Sequence, residues 1–310
     1  MSTWKLTNRN ITFANVNHNL RMQRDSNQGK KSMVPINVKP SGQSCGAQVT
    51  GLDLSKPLDD ETLAAVKAAW LEHHVLAFPN QKLDGDQLEA FAQQFGSLGE
   101  DPFFNPIPGR TYIAAVKREA EDTNKIFAEF WHSDWSFMPE PPCGTVLYAL
   151  DIPPHGGNTE FSNQHMSYES MPEEMKTRFD GLRAIHSPKL GYSPKGAYGN
   201  VEENGAMDIR PSEEAEHMYQ THPLAPEHPE TGRRGFLSGI SYIVGFEDME
   251  EEDAYKLIFE LNDWQSKDEF MYSHKWEKDM LVLWDNRSVV HRATGGYEGY
   301  RRELHRVTVY

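Results

Sequence analysis

An imidazole and a carboxylate stand two residues apart in the aromatic-rich run Trp131-His132-Ser133-Asp134-Trp135-Ser136-Phe137. Residues two apart on a strand share a face, so a strand over 130–135 would aim His132 and Asp134 into the same space. A second imidazole, His291, follows Leu283-Trp284-Asp285-Asn286-Arg287-Ser288-Val289-Val290, which reads as a strand, a tight turn and a returning strand. Two histidines and one carboxylate on one side of a metal form the facial set that holds Fe(II) and leaves positions open for a bidentate cosubstrate and O2, whereas zinc favours a closed tetrahedron. The His-x-Asp spacing is weak evidence by itself, because a chain with 13 histidines offers about one such pair by chance. Most strand histidines are ordinary hydrogen-bonded core residues, so His291 depends on its surroundings for its assignment.

Those surroundings include Arg302 and Arg306 in Tyr300-Arg301-Arg302-Glu303-Leu304-His305-Arg306-Val307. Residues four apart on a strand point the same way, and Arg301 points the other. Two inward guanidinium groups are costly unless they meet anions. The planar fork of arginine matches a carboxylate in two parallel hydrogen bonds, so one of the pair suits the far end of a dicarboxylate cosubstrate chelated to the metal. The other then needs a second anion or an internal acid such as Asp101 or Glu129. A surface strand with solvated charges is the competing reading. The Asp285-Asn286-Arg287 turn reads as fixing the hairpin before His291.

The elements that must position these groups follow from periodicity. Strands are predicted at 47–52, 75–78, 112–116, 130–135, 145–150, 159–162, 183–187, 270–276, 280–284, 289–292 and 304–309. Leu63, Val66 and Trp70 form one helical stripe behind Asp59 or Asp60, and Leu88, Phe91 and Phe95 another behind Asp84 or Asp86, with Gly96 placed as a left-handed stop. Further helices are predicted from Pro172 and over 250–264. Many short strands with helices as decorations predict a mainly β fold, a double-stranded β-helix of the jelly-roll, cupin-like kind. No glycine-rich nucleotide motif follows a strand. Residues 1–33 have the composition of a disordered or docked tail. Residues 34–310 read as one domain, with a Gly-, Pro- and Glu-rich insertion over 188–229 that suggests a lid.

With 46 Asp+Glu against 31 Lys+Arg, the formal charge of −15 argues against a nucleic-acid partner. Cys45 and Cys143 lack metal or disulfide spacing, and no run of 18 apolar residues occurs, so a reducing, cytoplasmic setting without a membrane is expected. Homo-oligomerisation stays open.

The motifs together resemble the taurine dioxygenase-like TauD/TfdA family of Fe(II)/2-oxoglutarate oxygenases, over nearly everything from Gly46 to Val309. GAQVTGLDLSKPLDDETLAAVKAAWLEHHVLAFPNQ is similar to the family's N-terminal strand-helix-strand signature, WHSDWSF to its proximal metal motif, GGNTEF to its cosubstrate threonine motif, and WDNRSVVHRA with RRELHR to its distal half. The resemblance implies that His132, Asp134 and His291 bind iron and that Thr159 and Arg302 take the C5 carboxylate of 2-oxoglutarate. It also implies that Arg306 matches the arginine that holds the substrate's anion in sulfonate-using members. Thr159 fits independently, since it starts a strand after a Pro/Gly turn and its hydroxyl can donate to a carboxylate. The implied reaction is oxidation, by default hydroxylation, of a C–H bond in a small anionic molecule, with release of succinate and CO2. Taurine-type members carry a His-x-x-Tyr pair and an asparagine ahead of the metal motif, where this chain has Asp101-Pro102-Phe103-Phe104 and Ala128. Those departures point away from taurine and toward another carboxylate, sulfonate or sulfate, with Lys189 or Lys195 as candidate second contacts. A cupin-like zinc or manganese hydrolase or isomerase, and a non-catalytic metal- or anion-binding jelly roll, are the alternatives that Thr159 and Arg302 weigh against.

Overall fold

The structure is a computed structural model that describes residues 36–310; the expected tail at 1–33 lies outside the described residues. In chain order its strands are β1 (Asn37–Pro40), β2 (Ala47–Thr50), β3 (Val75–Phe78), β4 (Leu98–Gly99), β5 (Ala114–Arg118), β6 (Gly144–Asp151) and β7 (Thr159–Asn163), then β8 (Arg183–His186), β9 (Gln220–Pro223), β10 (Ile243–Phe246), β11 (Met271–His274), β12 (Leu281–Asp285), β13 (Val289–Ala293) and β14 (Arg302–Val309). The helices are α1 (Asp60–His73), α2 (Gly85–Gln93), α3 (Gln164–Glu169), α4 (Glu173–Phe179), α5 (Lys189–Tyr192) and α6 (Glu251–Gln265). The large sheet runs β1-β2-β3-β12-β6-β14-β4, with β5 also on β14, while β11-β7-β13 and β10-β8-β9 form smaller sheets.

The apolar sequence of β12 explains why the large sheet is covered on both faces. All five residues of Leu281-Val282-Leu283-Trp284-Asp285 are buried, and alternation divides them between two cores. Leu281 and Leu283 pack with Val66, Trp70 and Phe91 under α1 and α2, whereas Val282 and Trp284 pack with Phe161 and Tyr272 of the small sheet. The two sheets thus enclose a second core, which is the jelly roll that the strand pattern predicts.

Two local expectations are corrected. Residues 130–135 do not form a strand: only His132 makes a bridge, and the chain then turns with Trp135 at φ 46°. Gly96 is not a left-handed helix stop, since α2 ends at Gln94 in ordinary helical geometry; a Cβ at Gly96 would lie 1.8 Å from the Tyr310 carbonyl oxygen, so close backbone approach is what requires glycine there. The caps resolve to Asp59, accepting from the Thr62 amide, and Asp84, which forms a capping box with Gln87.

The 285–288 turn is also not a hairpin, because β12 and β13 belong to different sheets. Asp285 holds this crossover: its buried carboxylate accepts from Arg287 Nε and Nη2, both at 2.8 Å, and from His228 Nε2 at 2.9 Å. Burial works to raise the Asp285 pKa, but the His228 and Arg287 hydrogen bonds outweigh it and bring it to about 2. A carboxyl depressed below its unfolded value of about 3.9 adds stability above that value and loses it as pH falls toward the folded pKa. Asp285→Asn is therefore expected to cost about 3 kcal/mol at pH 7, by breaking a buried charge pair. The gap from wild type should narrow as urea midpoints are followed down through the acid range; a constant gap would remove Asp285 as the titrating group.

Candidate active site

His132 and His291 meet across an antiparallel bridge, with backbone hydrogen bonds of 3.1 and 2.8 Å and ring centroids 4.2 Å apart. Asp134 arrives from the turn after that bridge rather than from a shared strand face. Its Oδ1 lies 3.7 Å from His132 Nε2 and its Oδ2 3.8 Å from His291 Nε2. All three residues are buried, and one donor atom from each falls within 4.8 Å of the others. Trp135 pays for the turn with a left-handed backbone, a conformation that costs of order 1–3 kcal/mol in a non-glycine residue and persists only where packing enforces it; its ring is buried in the aromatic cluster with Phe103 and Phe137.

The electrostatics suit a metal. His132 Nδ1 lies 2.9 Å from the Phe130 carbonyl oxygen, which as a donor contact leaves the Nε2 lone pair facing Asp134. Burial pushes both imidazoles below their ordinary pKa, His291 to about 3, which favours the neutral rings a metal would need. Burial would raise the Asp134 carboxyl, yet the neighbouring His291, Arg306 and His132 and the Thr145 hydroxyl together leave it below the usual range. Two neutral imidazoles and one carboxylate match the donor set of a non-haem Fe(II) site.

Arg302 and Arg306 both point inward from β14, as their spacing predicts, while Arg301 faces outward among Glu119, Asp151 and Glu303. Their partners differ. Arg302 is buried, its Nε has no hydrogen-bond partner among the described residues, and burial lowers its pKa against the opposing effect of Tyr297, whose ring centroid lies 5.8 Å from the guanidinium. It shares a cavity of about 50 Å³ with Thr159, His132, Asp134 and His291. Thr159 Oγ1 accepts from Trp276 Nε1 at 3.0 Å, which leaves its own O–H free to donate into that cavity. The residues therefore fit a dicarboxylate that reaches from the His/Asp/His donors to a guanidinium and a hydroxyl.

Arg306 is not waiting for an anion in the same way. It is paired with Asp101, whose other oxygen accepts from the amides of Phe103 and Phe104 at 2.9 Å. The pairing partner is the internal acid that the sequence offered as an alternative, with Asp101 rather than Glu129 in that place. Arg306 still borders a larger cavity of about 260 Å³, together with His132, Phe127, Phe130, Leu190, Tyr192, Tyr198 and Tyr242. Lys189 and Lys195 do not line it; the Lys189 ammonium lies over the Tyr219 ring, at 5.5 Å. The tyrosines were missed in the sequence, because Tyr192 and Tyr198 sit in the aperiodic 188–229 segment, where nothing local says which ring turns inward.

A profile of the family described as "Taurine catabolism dioxygenase TauD, TfdA family" matches residues 37–308. The chain is 34% identical over 270 residues to the (S)-phenoxypropionate/alpha-ketoglutarate-dioxygenase of Sphingobium herbicidovorans, covering 84% of this chain and 89% of that one. It is 32% identical to the alkylsulfatase of Acinetobacter baylyi, covering 85% and 81%. Among solved structures, a taurine dioxygenase from Burkholderia xenovorans superposes with a TM-score of 0.72 at 28% identity, covering 88% of this chain and 89% of that one.

Proposed function

Since the chain belongs to the TauD/TfdA family and is an Fe(II)- and 2-oxoglutarate-dependent dioxygenase, we propose that His132, Asp134 and His291 bind the iron, that Thr159 and Arg302 bind the C5 carboxylate of 2-oxoglutarate, and that Arg306 faces the substrate. When bound, iron with 2-oxoglutarate and O2 supplies an oxidant that breaks a substrate C–H bond, with decarboxylation of 2-oxoglutarate to succinate and CO2. The observation that carries this assignment is the buried Arg302, a cation with no acid partner among the described residues, lining one cavity with the three donors. Such a group is costly inside a protein unless an anion from outside completes it.

The substrate is a small organic anion with an apolar body. The cavity of about 260 Å³ is walled by aromatic and aliphatic side chains that would take the body. Among the described residues Arg306 is the one Lys or Arg along its lining, which would place an acid group beside His132. The relatives named for a phenoxypropionate and as an alkylsulfatase support a carboxylate or sulfate on the substrate. The segment 188–229, which contributes Tyr192 and Tyr198 to the wall, would close over bound substrate and exclude water.

Succinate release measured with a panel of aryloxy acids, alkyl sulfates, sulfonates and their neutral analogues tests this reading. Turnover should require an acid group on the substrate. For the best compound, Arg306→Gln is expected to raise the substrate KM about tenfold or more, the effect of losing a charge-assisted contact, while the 2-oxoglutarate KM moves less than about twofold. Turnover confined to neutral compounds, or an unchanged substrate KM, would reduce Arg306 to the partner of Asp101.

A further inference from the structure

We propose that Thr145 and Asn286 are positioning residues for the metal ligand Asp134, forming a one-way hydrogen-bond chain that engages Oδ2 and leaves Oδ1 as the donor offered to the metal. The proposal rests on the assignment of Asp134 as an iron ligand.

The chain is fixed in direction by its two ends. Trp284 Nε1 is a donor only, and it lies 3.0 Å from Asn286 Oδ1, so the Asn286 amide has its oxygen on that side. The same oxygen faces the Asp134 backbone amide at 3.4 Å. Asn286 Nδ2 must then be the group that donates to Thr145 Oγ1, at 3.0 Å. Having accepted that bond, the Thr145 hydroxyl keeps its proton for Asp134 Oδ2, 2.6 Å away, and an ionised carboxylate can only accept. No step can run backwards without leaving a buried donor facing a donor. Asp134 Oδ1, in contrast, lies 3.7 Å from His132 Nε2 and 3.9 Å from Arg306 Nη1, both beyond hydrogen-bond range.

The fold supplies this chain from adjacent strands. Thr145 on β6 is the cross-strand partner of Trp284 on β12, and Asn286 is the second residue beyond Trp284, in the crossover that Asp285 clamps. Thr145, Trp284 and Asn286 are all buried, so water does not substitute for any link. The short Thr145 bond sets the plane of the carboxylate, which is otherwise free to rotate about its last torsion, and the Asn286 contact to the Asp134 amide fixes the turn that carries it. Partners of this kind behind a metal ligand typically control metal affinity by about 10- to 100-fold.

Titration of the purified full-length protein with Mn(II), a redox-stable probe, followed by calorimetry gives the test. Thr145→Val should raise the Mn(II) Kd at least about tenfold and Asn286→Ala by a similar factor, with Thr145→Ser restoring affinity to near wild type. The double variant Thr145→Val/Asn286→Ala should be no weaker than the weaker single one, because both break the same chain. Thr145→Val binding Mn(II) within about twofold of wild type, or additive losses in the double variant, would overturn the relay. If Thr145→Val does not fold, Thr145→Ala against Thr145→Ser gives the same comparison. Asp134→Ala in the same titration separates the two levels of the argument: unchanged Mn(II) affinity there would overturn the ligand assignment itself, whereas its loss with an unaffected Thr145→Val would overturn the relay alone.

Discussion

His291→Ala is expected to yield a folded protein that has lost Fe(II) binding at micromolar metal and all measurable substrate-dependent succinate formation. The set has three protein donors and no spare within reach: among the described residues, one group of three or more His, Cys, Asp or Glu side chains comes close enough to share an ion, and it is His132, Asp134 and His291. A facial site must keep its other positions for cosubstrate and O2, so a water replacing the imidazole restores neither the affinity nor the geometry. Folding should survive because the contribution of residue 291 to the architecture is mainly backbone, through its bridge to His132 and its pairing with Phe161. The imidazole packs against Trp284 and Phe161, with centroids at 4.7 and 5.9 Å, so its loss leaves a cavity worth about 1–3 kcal/mol. Anaerobic Fe(II) titration alongside circular dichroism melting checks both halves. His132→Ala and Asp134→Ala should behave alike in metal binding, and wild-type turnover in any of the three would exclude that residue from the set.

How this site could be read from sequence depends on which interactions are local. The face shared by Arg302 and Arg306 was legible because strand alternation survives intact in β14, where Arg302, Leu304 and Arg306 are all buried. The proximity of His132 and Asp134 was legible for a different reason than the one their spacing suggested. A strand would have put both on one face, yet the structure uses a single bridge and a tight turn, and residues two apart remain close in either geometry. The Asp101–Arg306 pair and the Thr145–Asn286 bond join residues 205 and 141 positions apart. They depend on which strands become neighbours and in what register, and no local period encodes that. Asn286 illustrates the limit well: as a turn residue it has an adequate local explanation, and only the register of β6 against β12 shows that its amide also reaches Thr145.

The same contrast between paired and unpaired charge gives Arg302→Met an unusual expected result: higher thermal stability without 2-oxoglutarate, together with a 2-oxoglutarate KM raised well over tenfold. Arg302 is a buried cation for which the structure shows no carboxylate partner, and burial alone depresses its pKa. Desolvating a charge costs several kcal/mol, and replacing buried charge by a well-packed apolar group of similar volume is often stabilising by about 1–4 kcal/mol. Methionine is unbranched and flexible enough to lie along the path of the aliphatic part of arginine between Tyr297 and the cavity. What the substitution removes is the charge-assisted fork for the cosubstrate, worth a few kcal/mol, so the stabilisation that 2-oxoglutarate gives by mass action in wild type should vanish in the variant. Arg306→Met is the built-in control, since it lies four residues away on the same strand face but leaves the largely buried carboxylate of Asp101 without its cation. Breaking such a pair from one side is destabilising by about 3–5 kcal/mol. Melting curves of both variants in the presence of metal, with and without 2-oxoglutarate, should therefore move in opposite directions in the cosubstrate-free state. A lowered melting temperature for Arg302→Met with an unchanged 2-oxoglutarate KM would mean that Arg302 serves packing, because a guanidinium that is costly at rest is retained only where an incoming anion completes it.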